Sequence, residues 1–238
     1  MICVNNLKKS YNKNIVLKSI NFSVKSGDIK ALIGINGSGK STLVEAICGI
    51  RKFDEGKILI DNLDVSDLKN KMILNNIVGY MPQSFCMFND LTVYENLVYV
   101  CSIYNINKDK IQAVLNQCYL TKYEKCLAGN LSGGYKQLLS LAAVIIHEPK
   151  LLVLDEPTAA MDPIFRKKFW NIIKDLNKQN ITILLITHYI EELLECDTFS
   201  LLANGTIVYD GKVSEFKKQG FINIEEILSK YNLGKDNE

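Results

Sequence analysis

Arginine is almost missing from this chain: Arg51 and Arg166 stand alone among 28 basic residues, and 26 acidic residues leave a net charge of only +2. A reader of nucleic-acid backbones uses the planar guanidinium fork and a basic excess on one face. With neither present, no nucleic-acid partner is expected. Long hydrophobic runs are missing too. Leu138 to Ile146 and Ile181 to Ile186 fall well short of the roughly 20 residues a membrane helix needs, and no basic segment precedes an apolar one at the N-terminus. No direct membrane insertion is therefore expected. The seven cysteines (Cys3, Cys48, Cys86, Cys101, Cys118, Cys126, Cys196) are odd in number and include no C-x-x-C pair. Metal-ligand spacing and a disulfide framework are both absent. Reduced thiols in the cytosol, mostly buried, are the expectation.

What is present is concentrated in one stretch. Gly34-Ile35-Asn36-Gly37-Ser38-Gly39-Lys40-Ser41-Thr42 fits G-x-x-x-x-G-K-[ST], the phosphate-binding loop. The apolar run Ile29 to Ile33 before it reads as a buried strand, and Leu43 to Ile50 after it as a helix, which is the context the motif requires. The glycines let successive backbone N–H groups curl around phosphates, and the following helix aims its N-terminal dipole at the same anion. Lys40 is placed to reach the terminal phosphates and Ser41 to ligate Mg²⁺.

Around this loop the chain, at 238 residues and 47% hydrophobic, is long enough for one large core and a smaller subdomain. Ile2 to Val4, Ile20 to Val24, Lys57 to Ile60 and Ile77 to Met81 alternate in the manner of a half-exposed antiparallel meander. A helical block then interrupts, roughly Ser84 to His147. Within it Asn89 to Tyr104 carries Thr92 and Glu95 in a capping-box pattern, Lys108 to Leu120 is amphipathic, and Ser132 to His147 ends before Pro149. The strand–helix alternation resumes with Leu151 to Leu154, Phe165 to Gln179, Ile181 to Thr187 and Ile190 to Cys196. Phe199 to Ala203 and Thr206 to Tyr209 form a hairpin about Asn204-Gly205. Ser214 to Glu238 reads as a lysine- and glutamate-rich helical tail.

Four further stations carry chemistry. The strand Leu151 to Leu154 ends in Asp155 and Glu156, which places two carboxylates at the ligand edge of an open α/β sheet. Asp155 suits Mg²⁺ there, and Glu156 suits polarising an attacking water. Ser132, Gly133 and Gly134 open a helix and make a second anion cradle, which has a purpose if it meets a nucleotide held by another subunit. His188 leaves a central strand on the same edge as Asp155, within reach of a terminal phosphate, whereas His147 beside Pro149 reads as structural, favoured by the helix dipole. Gln83, after Pro82, suits a Mg²⁺ ligand at a hinge, and Tyr11 suits stacking on adenine. Phe169 and Trp170 sit at core-like spacing.

Taken in order, Tyr11, Gly34 to Thr42, Gln83, Leu131 to Gln137, Asp155-Glu156-Pro157-Thr158, Asp162 and His188 resemble the ATPase subunits of ATP-binding cassette (ABC) transporters, over roughly Ile2 to Lys212. The resemblance implies an α/β phosphate-loop NTPase core with a mixed central sheet, an N-terminal antiparallel β-subdomain and an inserted helical subdomain. The ATPase domain would span 1–213, with 84–147 inserted and 214–238 a helical tail. It implies ATP and Mg²⁺ as cofactors, with Gly34, Asn36, Gly37, Ser38, Gly39, Lys40, Ser41 and Thr42 on phosphate, and Ser41, Gln83 and Asp155 on metal. Glu156 would be the general base, His188 the γ-phosphate clamp, and Asp162 a contact between subunits. Two chains would close head-to-tail on two ATP molecules, as a homodimer or as a heterodimer with a paralogous ATPase. They would dock on a separate multi-span permease at the cytoplasmic face of the cell membrane.

Phe88 to Leu97 and Thr187 to Glu192 are similar to the drug- and antibiotic-export branch. A soluble ABC-fold ATPase serving iron–sulfur assembly or DNA maintenance is the alternative; a small-molecule kinase leaves the Ser-Gly-Gly cradle and His188 unexplained. Position 135 departs from the family, with Tyr in place of the usual Gln or Glu, which implies altered contacts with the nucleotide ribose. Leu138 stands where arginine is common, and Ala160-Met161 replaces a Ser/Gly-plus-aliphatic pair.

Overall fold

Two long strands open the chain because Ile2, Val4 and Leu7 on one, and Leu17, Ile20, Phe22 and Val24 on the other, put apolar side chains on one face while lysine and asparagine fill the opposite face. The computed structural model describes residues 1–12, 14–159, 161–217 and 226–227. Most of the expected tail, and Ala160, lie outside them. In chain order the elements are β1 (Ile2–Tyr11), β2 (Asn14–Val24), β3 (Ile29–Ile33), α1 (Lys40–Ile47), β4 (Glu55–Ile60), β5 (Leu63–Asp64), α2 (Lys71–Ile77) and β6 (Val78–Met81). There follow α3 (Val93–Tyr104), α4 (Lys110–Gln117), α5 (Gly133–Ile145), β7 (Leu151–Asp155), α6 (Pro163–Lys178) and β8 (Thr182–Ile186). The last are α7 (Ile190–Leu193), β9 (Thr198–Ala203), β10 (Thr206–Lys212) and α8 (Val213–Lys217).

These elements fall into two compact units, one of Met1–Leu74 with Thr182–Glu238, the other of Asn75–Ile181. The first unit holds an antiparallel sheet in the order β2-β1-β4-β5 and a mixed one in which β3 pairs in parallel with both β8 and β9, and β9 pairs antiparallel with β10. Every residue of β3 and β8 is buried. Such continuous burial is the mark of parallel strands covered on both faces, and each large aliphatic side chain so buried contributes about 1.5–3 kcal/mol. Lys30 lies inside this apolar strand. Its ammonium is tolerated because it donates to Asp210 Oδ1 at 2.5 Å and to the Ser23 carbonyl at 2.8 Å, while Ser200 Oγ donates to the same Asp210 oxygen at 2.7 Å. The β9–β10 turn places Asn204 at φ 47° and Gly205 at φ 75°, the two positive values that a type I′ hairpin demands.

In the second unit β6 and β7 pair in parallel, from Val78 against Leu151 to Met81 against Leu154. Ile77 to Met81 is thus not part of the antiparallel meander. The alternation in Val78–Met81 reports a half-buried strand without saying which strand it joins. The segment before it is the helix α2, which sequence alone left unassigned. The capping box at α3 is complete: Thr92 Oγ1 accepts from Glu95 N at 3.1 Å, and Glu95 Oε2 accepts from Thr92 N at 2.8 Å. Only Cys101, Cys118 and Cys196 are buried, so the expectation of mostly buried thiols fails. Cys3 points outward from β1, and Cys86 and Cys126 sit on loops. His147 stacks on Tyr104, with ring centroids 4.2 Å apart and planes at 4°. Burial pushes its pKa down, the opposite of the dipole effect expected from sequence. Phe169 and Trp170 are core residues of α6.

Candidate nucleotide-binding and hydrolysis site

The loop between β3 and α1 is built to receive an anion. Gly37 has φ 79° with open space where a Cβ would stand, and Gly39 has φ 102° with Leu17 Cδ2 2.9 Å from that position. A side chain at Gly34 would collide with the Leu202 carbonyl oxygen at 2.2 Å. These glycines let the loop fold back on itself. α1 then begins at Lys40, three residues earlier than its apolar pattern suggests, so Ser41 and Thr42 lie in its first turn. It ends at Ile47 because Gly49 takes φ 68°.

Lys40 is 7% exposed, and its Nζ donates to the carbonyls of Gly34 at 2.8 Å and Ile35 at 3.0 Å. The ammonium is thereby folded across the mouth of its own loop. Ser38 Oγ is buried and has no hydrogen-bond partner. A buried hydroxyl without a partner costs about 1–3 kcal/mol, and a phosphate oxygen would relieve it. An open cradle, a buried hydroxyl in need of a partner and a lysine at its mouth fit a nucleotide polyphosphate.

Tyr11 closes the β1–β2 hairpin opposite Asn14. Lys9 Nζ lies 5.3 Å and Arg51 Cζ 5.4 Å from its ring centroid. Arg51 also pairs with Glu45 of α1, whose hydrogen bond raises the guanidinium pKa. Lys9 donates to Asp54 at 3.1 Å, and Ser10 N donates to the same carboxylate at 2.6 Å. These bonds hold Asp54 below the usual carboxylate range. Neither Arg51 nor Asp54 was singled out from sequence, because nothing in their local context marks them as neighbours of Tyr11.

In the second unit, Asp155 ends β7 and is 5% exposed. Glu156 follows at φ 47°, a left-handed value that a side-chain-bearing residue adopts at a cost. This turn lifts Glu156 out of the strand line, where Gln83 Nε2 donates to its Oε2 at 2.9 Å. The two residues, 73 positions apart in sequence, are thereby in direct contact. Ser132 is the N-cap of α5, yet its side chain makes no cap hydrogen bond. Asp162 caps α6 through bonds from Ile164 N at 2.9 Å and Phe165 N at 3.0 Å.

His188, in the first unit, is exposed and its ring lies 4.1 Å from that of Tyr189. The loop that carries it is tied down by Thr187 and Glu192. Thr187 Oγ1 donates to Glu192 Oε2 at 2.5 Å and accepts from Tyr189 N at 3.0 Å. Glu192 is 1% exposed. Sequence reading missed it, since Glu191 and Glu192 are indistinguishable there and only packing separates the buried one from its exposed neighbour.

A phosphate loop after a buried parallel strand, with carboxylates ending another such strand, defines an α/β nucleotide-binding protein. Comparison gives the family. The model described as ABC transporter matches residues 17–159, more than half of the chain, and the chain belongs to that family. It is 34% identical to the energy-coupling factor transporter ATP-binding protein EcfA1 of Fusobacterium nucleatum, covering 100% of this chain and 94% of that one. It is 32% identical to the linearmycin resistance ATP-binding protein LnrL of Bacillus subtilis, covering 89% of this chain and 69% of that one. The chain spans only 30% and 37% of the length of two larger curated relatives. Among solved structures, a dimeric ATP-binding cassette bound to ADP and Pi in a post-hydrolysis state aligns with a TM-score of 0.82 at 26% identity, over 90% of this chain and 99% of that one. The α/β phosphate-loop NTPase fold expected from sequence is therefore the fold of the chain. Among the described residues, no helix is long and apolar enough to cross a membrane.

Proposed function

We propose that this chain is the ATP-hydrolysing motor subunit of an ABC exporter, closing head-to-tail with a second copy on two ATP molecules and docked on a separate multi-span permease at the cytoplasmic face of the membrane. One observation carries this reading: the chain has two anion cradles. The first is the loop of Ser38 and Lys40. The second is the α5 N-terminus, where the exposed Ser132 spends no hydrogen bond on its own helix. A second cradle in the same chain is explained by a γ-phosphate presented by a partner. The dimeric, product-bound relative supports that arrangement. The antibiotic-resistance name of LnrL supports export, and the transporter name of EcfA1 supports a permease partner.

In the proposed reaction Tyr11 stacks on the adenine. Backbone N–H groups from Gly34 to Thr42 and the Lys40 ammonium, released from its carbonyl partners, grip the phosphates. Mg²⁺, when bound, neutralises phosphate charge, and Ser41, Asp155 and the Gln83 amide oxygen are the residues to hold it. Glu156, oriented by Gln83, takes a proton from the attacking water as the bond to the γ-phosphorus forms and the β–γ bridging oxygen leaves with its electron pair. His188 hydrogen-bonds the γ-phosphate, and Asp162 passes to the partner. The test is turnover together with assembly. Glu156→Gln should cut hydrolysis by about 10²–10⁴-fold and leave dimers that persist in ATP; wild-type hydrolysis by that variant contradicts the assignment of the base.

A further inference from the structure

Gly134 is a glycine for a reason that lies within its own unit. Its φ is not positive, so the backbone does not call for glycine there. A Cβ at this position, however, would stand 2.6 Å from Cγ, 2.8 Å from Cδ1 and 2.9 Å from Cδ2 of Phe165. The Phe165 ring thus lies flat against the first turn of α5, at the spot where any side chain would push it away. Phe165 is itself fixed: its backbone N–H is one of the two that Asp162 caps. Tyr135, beside Gly134, meets the Phe165 ring edge-on, with centroids 4.7 Å apart at 83°, and lies 4.1 Å from Tyr123 on another side. Lys168 Nζ sits 5.0 Å from the Phe165 ring centroid and 5.9 Å from that of Tyr135. Tyr135 is thereby engaged by rings of its own chain.

We propose that Phe165 and Tyr135 are positioning residues that seat the Ser132-Gly133-Gly134 cradle, with Phe165 acting through close contact with Gly134 and Tyr135 wedging that ring in place. This rests on the reading of the cradle as the second phosphate site. A cradle that meets a phosphate presented by another molecule has to be held to within about 0.5 Å. Its two leading residues are exposed, so the aromatic seat beneath them supplies the constraint. The seat also ties the cradle to the cap at Asp162, so the two turns offered to a partner move as one. The tyrosine that departs from the family pattern at position 135 becomes part of this seat.

The experiment is a double-mutant cycle on the intact chain, reading thermal midpoint, nucleotide affinity of the isolated chain with a fluorescent ATP analogue, and turnover. Gly134→Ala should lower the midpoint and cut kcat by about tenfold or more, because small misplacements of positioned groups are costly, while nucleotide affinity holds. Adding Phe165→Ala should make room for the methyl, so that the double variant loses no more kcat than Phe165→Ala alone, the signature of two coupled neighbours. Wild-type turnover in Gly134→Ala overturns the proposal. So does a double variant whose kcat falls well below that of Phe165→Ala alone, since Gly134 is then needed by the nucleotide and not by the ring. If Gly134→Ala does not fold, Phe165→Ala and Phe165→Tyr are compared in the otherwise unaltered chain. A fall in kcat for the first, restored by the second at constant nucleotide affinity, supports the seat; an unchanged kcat overturns it. Ser132→Arg is run alongside. Full turnover in that variant defeats the reading of the cradle itself, whereas its inactivity combined with failed rescue defeats only the positioning role.

Discussion

Gln83 Nε2 donates a hydrogen bond to Glu156 Oε2 at 2.9 Å, joining the second residue after β6 to the residue that follows β7. Because those two strands pair in parallel with Met81 against Leu154, their C-terminal ends lie side by side and the two polar residues leave the sheet together. Replacing the amide by a side chain that cannot donate removes this constraint on the carboxylate's rotamer. Gln83→Leu should therefore lower kcat by about tenfold and leave the affinity of the isolated chain for nucleotide, measured without Mg²⁺, unchanged. Glu156→Gln should cost more, about 10²–10⁴-fold, as measured by phosphate release.

Ser132→Arg separates binding from hydrolysis. The residue sits at the mouth of the second cradle and takes no part in the loop of Lys40. Equilibrium titration of the variant should give wild-type affinity for ATP, and phosphate release should fall to background.

Thr187→Val tests the support of the His188 loop. It removes the hydroxyl that donates to a carboxylate 1% exposed and that accepts from Tyr189 N. Loss of a buried polar partner costs about 1–3 kcal/mol. Urea unfolding should show a stability loss of that size, read as a lowered midpoint at unchanged slope, and Thr187→Ser should recover most of it.

His147 gives a pH dependence of defined sign. Burial against Tyr104 lowers its folded-state pKa below the unfolded value of about 6.5. Across that interval the unfolded chain binds more protons than the folded one, so stability falls as pH drops below about 6.5 and the loss levels off once the folded value is passed. His147→Phe keeps a ring on Tyr104 and removes the titration. The stability difference between wild type and variant should therefore vary with pH over this interval and be flat above about pH 7.

The candidate site residues carry stronger local marks in the sequence than the strand partnerships around them. Gly34 to Thr42, Asp155-Glu156 and Ser132-Gly133-Gly134 announce themselves because anion binding and metal chemistry demand particular residue types at fixed local spacing. Strand partnership has no such local mark. Val78–Met81 alternates as an antiparallel strand would, and its parallel pairing with Leu151–Asp155 depends on a crossover of some 70 residues. Long-range contacts were equally silent: nothing near Arg51 points to Tyr11, and nothing near Phe165 points to Gly134. Helix starts moved for a physical reason as well. α1 begins at Lys40 rather than Leu43 because the loop needs the first-turn N–H groups, so its opening residues are polar.

The central claim is that neither copy hydrolyses ATP without the cradle of the other. The most direct measurement is phosphate release per chain across a wide dilution series at saturating ATP and Mg²⁺, with the oligomeric state read in parallel by light scattering. The specific rate should rise with chain concentration and track the dimer fraction. A specific rate that stays constant down to concentrations where only single chains scatter contradicts it.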